Sequence, residues 1–105
     1  MEKVVVGSTL WQETLELEDE NGQPVALLSL ESIGKVQEVW YHKQGESLGQ
    51  GVFQETTLLF FATWQDAEQA EQEISSSAQR ILGSGESWSG SIQAHGLVVV
   101  VTYNC

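Results

Sequence analysis

Two groups of carboxylates and one mixed strand face are the parts of this sequence with the residue types and spacing for chemistry. Glu16, Glu18, Asp19 and Glu20 form the first group, and Asp66, Glu68, Glu71 and Glu73 the second. Rows of carboxylates on separate elements can imitate spaced phosphates, as a decoy for a DNA-binding enzyme would. They can equally steer a basic protein inward over a Debye length of about 8 Å in physiological salt. The plainer reading is a solvated surface plus ordinary complementation of a helix dipole. Glu38, Trp40 and His42 make the third candidate. They alternate along one segment, so on a strand they project from one face about 7 Å apart. A carboxylate, an indole and an imidazole together suit recognition of a ligand or peptide, unless Trp40 is simply core.

Other chemistry finds no support in the spacing. His42 and His95 are the two imidazoles, and neither has a second ligand at metal-binding distance in the sequence. The segment Glu18-Asp19-Glu20-Asn21-Gly22 has contiguous acids where a calcium loop alternates its ligands, and lacks the bidentate Glu that should follow. Cys105 is the sole thiol and the last residue, a poor place for preorganised catalysis. The glycines at 45, 49 and 51 connect two strands, and those at 83 and 85 follow a helix. Phosphate cradles need the opposite order, with the helix after the loop. No cofactor or metal is expected.

The elements that must position these residues follow from periodicity. Thr14 to Glu18 alternates polar and apolar residues, Asn21-Gly22 signals a hairpin turn, and Pro24 opens a returning strand that runs to Leu30. Ile33-Gly34-Lys35 reads as a turn, and Val36 to Lys43 as a third strand. Thr56 to Ala62 is apolar on both sides and reads as a strand covered on both faces. Thr63-Trp64-Gln65-Asp66 has the form of a capping box, and Ala67, Ala70, Ile74, Ala78 and Ile81 recur at helical spacing. The acids lie toward that helix's start, Arg80 near its end, and Gly83 just beyond it. Ser87 to Gln93 reads as a short strand, Ala94-His95-Gly96 as a turn, and Leu97 to Tyr103 as a final strand. Its four consecutive valines belong inside the sheet, because an unpaired edge of valines invites aggregation.

The expected fold is a single α+β domain over residues 1–105, an antiparallel sheet of about six strands in the order β-β-β-β-α-β-β, with one helix on one face. A single helix leaves the second face bare. That face needs the sheet to curl into a partial barrel, or another copy of the chain to cover it. A homodimer is therefore expected as one solution.

Charge bounds the partners. Fifteen Asp and Glu against four Lys and Arg give a formal charge of −11 over 105 residues. Such a surface repels nucleic acid and anionic membranes and attracts basic proteins. The expected function is a small acidic interaction module for a basic protein partner, of the inhibitor, immunity-protein or DNA-mimic kind. The alternative is a ligand-binding or enzymatic α+β barrel with its site at a dimer interface. The first residues hold too short an apolar run for a signal peptide, nothing approaches a membrane span, and one cysteine gives no disulfide framework. These point to the cytoplasm.

Overall fold

A computed structural model describes residues 1–18, 24–27, 30–44, 54–82 and 89–104. The chain is α+β. Five antiparallel strands form the main sheet in the spatial order β1-β4-β5-β7-β6, where β1 is Glu2–Val4, β4 Glu38–Gln44, β5 Gln54–Phe60, β6 Ser89–His95 and β7 Val98–Asn104. A separate two-stranded sheet pairs β2 (Glu16–Glu18) with β3 (Pro24–Ala26). Helix α1 spans Thr9–Thr14 and α2 spans Trp64–Leu82, with a 3₁₀ turn at Glu31–Lys35.

The last strand lies inside the sheet, between β5 and β6, as its run of valines requires. Pro24 opens its strand, where its missing N–H costs no ladder bond. Thr63 caps α2 through its Oγ1, which accepts the Asp66 N–H at 3.2 Å. The helix ends at Leu82, one residue before Gly83.

Several expectations need correction. The main sheet has five strands rather than six, because the first hairpin does not join it. One edge is formed instead by β1, whose Val4 pairs with Val39. Thr14 is the last residue of a short helix rather than the first of a strand. That helix follows a turn in which the Ser8 N–H donates to the Val5 carbonyl, with Gly7 at φ +91° where a type II turn needs glycine. Ser8 Oγ then accepts the Trp11 N–H, and Trp11 and Leu15, four apart, both enter the core. Ala94 and His95 belong to β6, and the turn is Gly96-Leu97, with Gly96 at φ +64° as a two-residue hairpin turn demands. The segment at Ile33-Gly34-Lys35 tightens into 3₁₀ form and buries Ser32 and Ile33. The expected Asn21-Gly22 turn lies outside the described residues.

The core sits between α2 and one face of the main sheet. Val39, Leu59 and Val99 pair across three adjacent strands and are fully buried. Ala67, Ala70 and Ile74 of α2 are equally buried in the same cluster. Trp11, Leu15, Leu27 and Ile33 extend it, so the N-terminal elements help close the helix side. The sheet is open, with β1 and β6 as its edges. The curled alternative is therefore not realised within the chain, and only one sheet face is covered by the helix.

Candidate functional site

The helix carboxylates separate according to their place on the α2 surface. Ala67, Ala70, Ile74 and Ser77 point into the protein. At about 100° per residue, Asp66 and Glu73 border this stripe on one side, Glu71 borders it on the other, and Glu68 lies outward. Their partners match that placement. Asp66 pairs with Lys35 at 3.6 Å. Glu73 Oε1 accepts the backbone N–H of Ser32 at 3.2 Å, and its Oε2 accepts Gln69 Nε2 at 2.7 Å. Glu71 accepts the backbone N–H of Ala94 on β6. Only Glu68 of this group stands exposed on the outward face, in line with the exposed Gln72 and Ser76.

Three of the four predicted docking carboxylates thus hold α2 in place. Leu30 at the N-cap of the 3₁₀ turn has no side chain bonded to that turn, so Glu73 supplies the acceptor from across the molecule. Glu71 occupies an N–H on the outer side of an edge strand, the kind of group that otherwise invites another strand to pair. A helical projection of the sequence already separates Glu68 from the other three. It does not identify Lys35, Ser32 or Ala94 as their partners, which lie 31, 41 and 23 residues away in the chain.

Ser32 itself is fully buried, and its Oγ is the one buried side-chain polar atom without a hydrogen-bond partner among the described residues. Desolvating an unpaired hydroxyl is costly. Ser32→Ala is expected to retain the fold and gain about 1 kcal/mol of stability in urea titration. A loss of that size would show that the hydroxyl is satisfied in solution.

The first acidic group is placed only in part. Glu16 and Glu18 occupy β2, opposite Ala26 and Pro24. Asp19 and Glu20 lie outside the described residues, as do the glycine loop at 45–51, the segment 83–88 and Cys105.

Glu38, Trp40 and His42 do share one face of β4. Val39 beneath them is fully buried, and the Tyr41 hydroxyl on the helix side donates to Glu55 Oε1 at 2.9 Å. Their face is the one α2 leaves open. Glu38 is tied to Lys3 of β1 at 3.2 Å, Trp40 is half-buried, and His42 is exposed. Register places Leu58 and Val100 beside Trp40, and Phe60 and Val98 beside Glu38. All four are half-buried. His95 joins the Phe60–Val98 row and lies 3.2 Å from Gln93 Oε1. His42 and His95 stand on β4 and β6, with β5 and β7 between them.

Among the described residues no three His, Cys, Asp or Glu side chains converge in a way that would hold a metal ion. No helix among them is long and apolar enough to cross a membrane. No protein-family model matches this chain, and no curated protein or solved structure matches it.

Proposed function

We propose that this chain is an acidic interaction module that binds a basic protein partner in the cytoplasm. The observation that carries the reading is the charge of −11, combined with ion pairs that already engage Lys3 with Glu38 and Lys35 with Asp66. The remaining surface offers carboxylates in excess. Those with the strongest claim to a partner are Glu16, Glu18, Asp19 and Glu20 on the first hairpin, with Glu68 on the outer face of α2. Asp66, Glu71 and Glu73 are engaged within the fold, which removes most of a phosphate-like row from the helix. An inhibitor or immunity-type contact centred on the hairpin therefore has more support than a DNA mimic spread over both elements.

Charge of this kind acts mainly on the rate of encounter. Partners captured from the source lysate at low salt should be basic, and association with a purified one should slow steeply as salt rises. Neutralising the four hairpin acids to Gln and Asn should slow association about tenfold at low salt, whereas Glu68→Gln alone should change it little. Association that ignores both salt and the hairpin substitutions would overturn the reading.

A further inference from the structure

We infer that the open face of the main sheet is the interface of a homodimer, packed face to face against the same face of a second copy. The inference is independent of the electrostatic reading above and rests on different residues. Trp40, Leu58, Phe60, Val98 and Val100 occupy neighbouring positions on β4, β5 and β7 and point away from α2. Each remains half-buried rather than buried. The sheet does not close on itself, and these residues are absent from the buried core between the sheet and α2. A contiguous apolar row at the centre of an open sheet face is a surface suited to association.

Charge selects the occupant. On this face Lys3 and Glu38 neutralise each other across 3.2 Å, while the chain as a whole carries −11. The other described carboxylates lie on other elements or on the helix side: Asp66, Glu68, Glu71 and Glu73 on α2, Glu31 on the turn packed against α2, Glu13 on α1, Glu16 and Glu18 on β2 of the small separate sheet, and Glu2 and Glu55 at helix-side positions of the main sheet. A basic partner would gain nothing electrostatically from the open face. Two copies meeting through it bring together a surface on which, among the described residues, neither presents excess negative charge.

Shape and size agree. The middle strand of the five is β5, so a two-fold axis passing near Leu58 maps the face onto itself, as an isologous interface requires. Five strands of up to seven residues have a flat footprint of roughly 500 Å². Two such faces, corrugated by side chains, bury on the order of 1,000 Å² or more, which reaches the size of a specific interface. Sheets packed this way lie about 10 Å apart and interdigitate their facing side chains. The exposed Val5 follows β1, and the exposed Leu97 precedes β7, both at the Phe60–Val98 end of the sheet. They continue the apolar rim there.

Sedimentation velocity and light scattering of the full chain at micromolar concentration test this directly. The expected mass is twice that of one chain. Leu58→Asp should reduce it to one chain while far-ultraviolet circular dichroism is retained. Val100→Thr, a milder change, should weaken association severalfold if Leu58→Asp fails to fold. Salt gives a signature opposite to that of a basic partner: screening the repulsion between two acidic copies should tighten the dimer severalfold, where partner binding weakens. A wild-type chain that remains a monomer overturns the inference, whether or not a basic partner is found. So does a dimer that survives in folded Leu58→Asp, which would place the contact at a sheet edge.

Discussion

Leu59→Ala is expected to cost about 2–5 kcal/mol of folding stability, the largest effect of any single truncation considered for this chain. Leu59 is fully buried at the centre of the middle strand, between Val39 and Val99, in the cluster that also holds Ile74 of α2. Truncation removes its transfer free energy and leaves a cavity that surrounding strands cannot readily fill, because β5 is paired on both sides. A small domain typically has only about 5–15 kcal/mol in total, so the variant should unfold at much lower urea with an unchanged slope. Leu58→Ala, one residue away on the open face, is the comparison. Measured at a dilution where the chain is monomeric, it should cost distinctly less, because Leu58 is already partly exposed. Equal losses at the two positions would mean that the sheet's two faces are covered alike.

Glu73→Ala should cost about 1.5–3 kcal/mol, an unusual loss for a helix-surface acid. Ser32 is fully buried and its backbone N–H donates to Glu73 Oε1. Alanine leaves that donor without an acceptor and also breaks the bond from Gln69 Nε2. Glu73→Gln retains a side-chain oxygen at the same reach and should recover much of the loss. Glu68→Ala, on the outward face, should stay within about 0.5 kcal/mol of wild type, as is usual for a surface substitution. Urea titration of the three variants is sufficient. If Glu73→Ala costs no more than Glu68→Ala, the carboxylate does not tie α2 to the 3₁₀ turn.

This contrast also shows how far the acidic candidates are legible in the chain. Their position near the start of a helix follows from Thr63, the alanine stripe and Gly83, all of them local signals. Which acids remain for a partner depends on groups brought close only by folding: Lys35 beside Asp66, Ser32 beside Glu73, Ala94 beside Glu71. The strand-face candidates behave differently. The shared face of Glu38, Trp40 and His42 follows from strand alternation alone, and the register agrees. Their apolar neighbours Leu58, Phe60, Val98 and Val100 come from two other strands, so the patch itself is invisible until those strands pair.

The short N-terminal elements were the least legible. Three residues of β1 and six of α1 are too few to display a period. The available clues were Ser8 as a cap and the four-residue interval between Trp11 and Leu15. By contrast, α2 extends over 19 residues and carries its own start and stop.

From the amino-acid sequence alone came the α+β class, the long helix with its cap, the burial of the valine-rich strand within the sheet, and the net charge of −11. Each depends on residue type or on spacing within one segment, and local sterics and burial act at that range. Tertiary structure decided the strand order, the exclusion of the first hairpin from the main sheet, the internal partners of three helix carboxylates, and the grouping of half-buried apolar residues on the sheet face away from α2. Those outcomes depend on which distant segments meet, and a two-residue or three-and-a-half-residue period carries no information about that choice.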